Sequence, residues 1–450
     1  MAEVRKQEHE NIADLPKGFK MTELGPLPEE WEVVQLGDIF EEIDRRVKDE
    51  NEPDIPLLSI TRYNGLVLQS QKFEKRVAGK DIRNYKVVRR GEMVYGFPMD
   101  EGVIHFLWNF DKGAVSPVYF TWRKKKDDAD SHFLDYALRT PQMIEIYQLY
   151  TSRTVHRRRI VHPRDFKRIN VPLPPLPEQR AIAYVLRTVQ RAKEATERVI
   201  QATRELKKSL MHYLFTYGPV PVEEAERVPL KETEIGLVPE EWKVVRLGEV
   251  VKKARSGGTP LRSKKEYWNG SIPFALIQDL TASGLYLYRT KESISEEGLR
   301  NSSAWIVPEG SILLSMYATI GATAVNKIPL ATNQAILALV PTENLNAEFG
   351  ALLLSYKADE LARFNVQSTQ KNINKGIVLR FFIPLPPLSE QRAIARVLRT
   401  VNKKLQAEEA RKQALKELFK TLLHNLMTGK IRAKDVVLPN VGEGKGDVTN

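Results

Sequence analysis

Two short segments concentrate side chains whose chemistry suits a polyanion with readable edges. The stretch TSRTVHRRRIVHPRDFKR, Thr151 to Arg168, carries Arg153, Arg157, Arg158, Arg159, Arg164, Lys167 and Arg168 against one acid, Asp165. The stretch NVQSTQKNINKGIVLR, Asn365 to Arg380, carries Gln367, Ser368, Gln370, Lys371, Asn372, Asn374 and Lys375. A guanidinium fork matches the major-groove edge of guanine and a carboxamide matches adenine, while Lys and Ser anchor phosphate. The residues expected to contact nucleic acid are therefore Arg153, Arg157, Arg158, Arg159 and Lys167 in the first segment. In the second they are Ser368, Gln370, Lys371, Asn372 and Lys375. The competing reading of each segment is a solvated loop.

Catalytic chemistry finds little footing. The sequence GEGKG near Lys445 resembles a phosphate loop, but Pro439 stands where the motif's first glycine belongs and no Ser or Thr follows the lysine. Pro174 and Pro175 follow a leucine rather than the Asn or Asp of an adenine-methyltransferase motif, and no glycine-rich loop suited to a methyl donor is evident. The 7 histidines are scattered without metal-ligand spacing, and cysteine is absent, which excludes disulfides and thiolate metal sites. His212 and His424 sit among leucines, where helix packing is the simpler role. RKKKDD, Arg123 to Asp128, neutralises itself and reads as a surface turn. No catalytic residue, metal site or cofactor of the chain's own is expected.

The 450 residues suggest roughly three domains. A formal charge of +12 favours an acidic partner. The opening residues carry no apolar secretory core, and no apolar run reaches the ~18 residues of a membrane span. A cytoplasmic protein with no membrane partner is expected.

The elements that must position the two segments are themselves repeated. PLPPLPEQRAIAYVLRTV, from Pro172, returns as PLPPLSEQRAIARVLRTV from Pro384, differing only at Pro177/Ser389 and Tyr184/Arg396. TELGPLPEEWEVVQLGDI, from Thr22, returns as TEIGLVPEEWKVVRLGEV from Thr233. Between these markers, β-branched and aromatic runs such as PLLSITRYNGLVL and PLATNQAILALV, bounded by Gly, Pro and Asn, predict strands. From Glu178, the apolar positions Ile182, Val185, Val189, Ala192, Thr196, Val199, Thr203, Leu206, Leu210 and Tyr213 step by three and four, which predicts a heptad seam. The second copy keeps Ile394, Val397, Val401, Leu415, Leu418 and Leu422 around a polar middle. Pro177 suits a first helical turn and Ser389 an N-cap, while Gly218-Pro219 and Gly429 stop the two helices. Each rod needs a packed face, and the other rod, running antiparallel, is its simplest partner.

The fold class expected is α+β, with two pseudo-symmetric globular domains joined by two long helices in an antiparallel coiled coil. The expected boundaries are an N-terminal extension (1–21), a first domain (22–171), a first helix (172–218), a linker (219–232), a second domain (233–383), a second helix (384–430) and a C-terminal tail (431–450).

The doubled PLPPLxEQRAIAxVLRT, the PEEW entry, SGGTP (Ser256 to Pro260), YWNGSIPF (Tyr267 to Phe274) and TNQAI (Thr332 to Ile336) resemble the specificity subunits of type I restriction–modification systems. The resemblance spans nearly the whole chain, from about Thr22 to Arg432. It implies two target-recognition domains that each read half of an interrupted, asymmetric site in double-stranded DNA, with the paired helices setting the spacing. It implies docking of two methyltransferase subunits, which use S-adenosylmethionine, and of restriction subunits driven by ATP with Mg. The chain itself would then be non-catalytic. Near-identity of the two helix starts points to one surface offered twice, with Glu178, Gln179, Arg180, Glu390, Gln391 and Arg392 as candidate docking residues. The first domain departs from the pattern, since DRRVKDENEPDIPLLSITRYNG stands where SGGTP and YWNG would fall. The alternatives are a coiled-coil scaffold with protein-binding ends and a self-sufficient modification enzyme.

Overall fold

A computed structural model describes residues 15–50, 55–72, 81–125, 127–151, 159–317, 319–363, 373–434 and 436. The chain divides into two compact units. One takes in the residues up to Glu194 together with those from Ala414 onward, and the other runs from Ala195 to Gln413. The two long helices, Leu176–Tyr217 and Leu388–Met427, each contribute one segment to each unit.

In the first unit, the hairpin Phe19–Thr22 and Gly25–Pro28 leads into strand Glu32–Gln35, which pairs antiparallel with Asn170–Leu173. That pairing ties the entry of the domain to the residues just before the first long helix. An antiparallel sheet then runs in the order Phe40–Ile43, Phe120–Lys124, Met93–Tyr95, Ile104–Phe106. Its core is aromatic, with Trp31, Phe40, Tyr95, Trp122, Phe133, Tyr147 and Phe166 buried. Ala181, Ile182 and Leu186 of the first long helix and Leu426 and Met427 of the second complete this core. Helix Ser131–Ala137 is capped by Asp130 and helix Pro141–Tyr150 by Thr140, each accepting from a backbone N–H of its first turn.

The second unit repeats the entry, with hairpin Leu230–Thr233 and Gly236–Pro239 and strand Lys243–Arg246 paired to Phe382–Leu385. Its five-stranded sheet runs Val251–Ser256, Ile336–Pro341, Ile312–Ser315, Thr323–Asn326, Tyr286–Leu287, the last pair parallel. Met211, Leu214 and Phe215 of the first long helix and Ile394, Ala395 and Leu398 of the second enter this core. The helices run antiparallel here: Glu197 pairs with Lys412 at 3.0 Å and Arg204 with Glu409 at 2.8 Å.

The expected seam holds at Ile182 and Thr196, which are buried, and shifts beyond them. Val199 and Leu206 are 40% and 57% exposed, whereas Ile200, Met211 and Leu214 are buried. Several faces of this helix are apolar enough to pack, and the domain side chains it meets select among them. In the second helix Val397 and Leu418 likewise face outward. Leu388 opens that helix, so Ser389 lies inside the first turn and is not its cap.

Candidate nucleic-acid interface

The helix starts are locked to their own domains by the residues expected to face a partner. Trp31 Nε1 donates to Glu178 at 3.0 Å, and Trp242 Nε1 donates to Glu390 at 2.9 Å. Gln179 accepts from the backbone N–H of Asp130 at 2.7 Å and donates to the carbonyls of Pro174 (2.7 Å) and Asp128 (3.3 Å). Gln391 repeats the pattern, accepting from Asn346 N at 2.8 Å and donating to Pro386 O (2.8 Å) and Asn344 O (3.0 Å). Asp130 and Asn346 are both helix N-caps, so each glutamine fastens the start of a domain helix to the start of a long one.

Glu178, Gln179 and Gln391 are buried and Glu390 is half-buried; of the six candidates only Arg180 and Arg392 are exposed. Glu178, Gln179 and Gln391 spend these hydrogen bonds inside their own unit, whereas Glu390 is tied to Trp242 through one carboxylate oxygen.

Glu178 has a further partner that the sequence did not suggest. Arg432 Nε and Nη2 each lie 2.7 Å from its carboxylate oxygens, and Ala433 N lies 3.3 Å away. Burial alone would raise the Glu178 pKa, but the hydrogen bonds from Arg432 and Trp31 outweigh it and hold the carboxyl below its ordinary range.

Of the ten candidate DNA contacts, Arg153, Arg157, Arg158, Ser368, Gln370, Lys371 and Asn372 lie outside the described residues. Arg159 is placed for a different task from the one expected. Its guanidinium holds Asp100 at 2.6 Å and Glu101 at 3.0 Å, and its carbonyl accepts from Met99 N. It therefore clamps the chain onto the turn at Met99–Glu101. Lys167 is exposed, with Nζ 5.7 Å from the Trp122 ring centroid. Lys375 is exposed in the first turn of helix Lys375–Arg380, which Asn374 caps.

The hairpin Leu58–Ile60 and Leu66–Leu68 presents a tip that sequence reasoning passed over. Thr61 Oγ1 accepts from Asn64 N at 3.0 Å and donates to Gly65 O at 3.0 Å. Gly65, at φ +66, turns the chain where a side chain would be strained. On this braced turn Tyr63 is 80% exposed, with the Arg62 guanidinium 5.2 Å from its ring centroid. Asn-Gly between β-branched runs was the available signal, since that dipeptide marks a hairpin turn, and Arg62 and Tyr63 share the loop with it.

In the second unit the signature motifs build the scaffold. Gly257 and Gly258 donate to Asn333 O and Thr332 O, and Thr259 Oγ1 donates to Gln334 Oε1 at 2.7 Å, so SGGTP lies directly on TNQAI. A Cβ on Gly257 would lie 1.7 Å from the Thr332 carbonyl oxygen, which leaves glycine as the residue that fits. Beyond this junction Arg262 stacks on Trp268 at 3.8 Å and pairs with Glu292 at 2.8 Å. Among the described residues no group of acidic or histidine side chains is disposed to hold a metal, and no helix is long and apolar enough to cross a membrane.

Comparison with known proteins matches residues 28–204 and 239–417 to the type I restriction modification DNA specificity domain. Two relatives from Methanocaldococcus jannaschii are similar over nearly their whole length. The putative type I restriction enzyme MjaX specificity subunit is 26% identical over 93% of this chain and 97% of its own. The MjaVIII specificity subunit is 27% identical over 91% of this chain and 95% of its own. Among solved structures, the S subunit of a type I restriction–modification system from M. genitalium has a TM-score of 0.55 at 17% identity, covering 88% of this chain and 96% of that one. At that identity the likeness bears on the fold.

Proposed function

The chain belongs to the type I restriction–modification DNA specificity family, and from that premise we propose how its own residues divide the work. Two matched regions in one chain are the observation that carries the reading: two recognition domains, differing in sequence, read two different half-sites. The scaffold alternative is not favoured, because relatives matched over more than nine-tenths of this chain are specificity subunits. Methyltransferase and restriction subunits carry the chemical steps, two methyltransferases dock on the repeated helix starts, and the chain itself supplies the address.

Long-read methylation profiling of cells expressing the chain with its methyltransferase tests this. An asymmetric, interrupted motif is expected; methylation without sequence preference would refute it.

Base contacts are proposed for Arg153, Arg157, Arg158, Gln370 and Asn372, which lie outside the described residues, with Ser368, Lys371, Lys167 and Lys375 as phosphate contacts. To these we add the tip at Arg62 and Tyr63, where an exposed guanidinium, paired with Glu101 at 3.3 Å, lies beside an exposed ring on a hydrogen-bonded turn. A good bidentate contact from such a guanidinium to a base edge in a duplex groove is worth about 1–3 kcal/mol. Replacing both Arg62 and Tyr63 with alanine is expected to weaken DNA binding tenfold or more and to relax one half of the methylated motif, leaving the other half intact. An unchanged motif and affinity would remove the tip from the interface.

Docking is proposed for Arg180 and Arg392, which are exposed at matching places in the two helix starts. Changing both to glutamate is expected to reduce assembly with the methyltransferase, as read by native mass spectrometry. Each single change should remove one methyltransferase, and full assembly of the double variant would exclude the pair.

A further inference from the structure

In register, the first long helix from Glu205 to Leu214, ELKKSLMHYL, matches ELFKTLLHNL of the second, Glu417 to Leu426. Two packed positions change physical character: Tyr213 stands where the second helix has Asn425, and Lys207 stands where it has Phe419, a charge in place of an aromatic ring. In the first unit Phe419 packs against the aromatic core, its ring 5.9 Å from Tyr136. In the second unit Lys207 instead lines a cavity of about 570 Å³ between the first long helix and helices Ala347–Tyr356 and Ala358–Arg363.

The charge of that cavity is unbalanced. Arg204 is paired with Glu409, and Lys357 with Glu360 at 2.6 Å. Among the described residues Lys207, Lys208 and Arg363 make no ion pair, and Asp359 is the remaining acid on the wall. Burial draws the Lys207 pKa down while the charge of Glu409 raises it, so a half-buried ammonium is held in place at a cost. A lysine in a socket that takes an aromatic ring in the sister repeat is poorly explained by packing. An incoming anion would offset that cost.

We propose that this cavity is a phosphate-binding site, with Lys207 at its wall and Lys208 and Arg363 at its rim, and that its occupant is a backbone phosphate of the DNA the chain reads. The occupant, though not the site, rests on the DNA-binding reading. Binding here adds affinity without sequence information, because a phosphate is the same beside every base.

The test uses Lys207→Phe, which restores the residue of the other repeat, and Lys208→Gln. Inorganic phosphate is titrated against the full chain by calorimetry. DNA affinity of the chain assembled with its methyltransferase is then measured across a potassium chloride series. The wild type should bind phosphate and Lys207→Phe should not. Each variant should lower the salt-dependence slope of DNA binding by about 1 and leave the methylated motif unchanged. Phosphate binding with an unaltered slope would overturn DNA as the occupant and leave a site for free phosphate. Absence of phosphate binding together with an unaltered slope would overturn the site. If the wild-type assembly fails to bind DNA, the DNA reading falls, and the phosphate titration alone decides whether the site exists.

Discussion

Replacing Arg432 with alanine is expected to destabilise the first unit by about 3 kcal/mol, the scale found when one member of a buried ion pair is removed. Glu178 is 2% exposed and sits against the core, so its charge depends on Arg432, Trp31 and Ala433 N for compensation. Hydrogen exchange read peptide by peptide should show lost protection in the first unit with the second unaffected. Equal loss in both units, or none, would refute the assignment.

The acid dependence follows from the same carboxylate. Its folded pKa lies below the ordinary 4.5, so its contribution is full above the ordinary value and is lost as the pH falls through the lowered one. The gap between wild type and Arg432→Ala should therefore be widest near neutrality and close in acid. Adding Glu178→Gln to Arg432→Ala should recover part of the loss, because a neutral amide at that place leaves no buried charge unpaired.

Gln391→Ala is expected to cost the second unit about 3 kcal/mol, since it leaves Asn346 N–H and the carbonyls of Asn344 and Pro386 without this partner inside the fold. The glutamate variant separates hydrogen bonding from packing. A carboxylate accepts from Asn346 but cannot donate, and it would face the two carbonyls. Gln391→Glu should thus be at least as damaging as alanine at neutral pH. Its burial would raise that carboxyl's folded pKa, so stability should return as the pH falls and the acid gains a proton to donate. Denaturant unfolding at two pH values checks the order. A glutamate variant as stable as wild type at neutral pH would mean that the buried amide is not acting as a donor.

Sequence reasoning reached the repeated organisation because the repeat is nearly literal: helix starts that differ at two positions, identical PEEW entries and Gly-bounded apolar runs that became strands. It misplaced roles wherever a distant partner decides them. The identical Glu-Gln-Arg of the two helix starts reads equally well as a surface for a shared partner and as an internal fastener. What resolves two of its three residues as fasteners is Trp31 and Asp130 in one unit and Trp242 and Asn346 in the other, far away in the chain. Arg159 sits in a run of like charges, yet its acids, Asp100 and Glu101, come from a turn nearly sixty residues earlier. Val199 and Leu206 have the spacing of a seam, but helical period identifies an apolar stripe without choosing which one meets the domain. Arg62 and Tyr63 lie outside the stretches of high charge density, and a hairpin tip exposes single residues that density does not mark.

The sharing of both long helices between the two units bears on the order in which the protein can be made. The second unit, Ala195 to Gln413, is one uninterrupted stretch, complete once the ribosome has released those residues. The first unit begins earlier but lacks Phe419, Leu426 and Arg432 until nearly the whole chain has been translated. Vectorial synthesis, which ordinarily lets the leading domain fold first, is here reversed. The domain that emerges first must wait, with Glu178 lacking Arg432, until the second long helix arrives to close it.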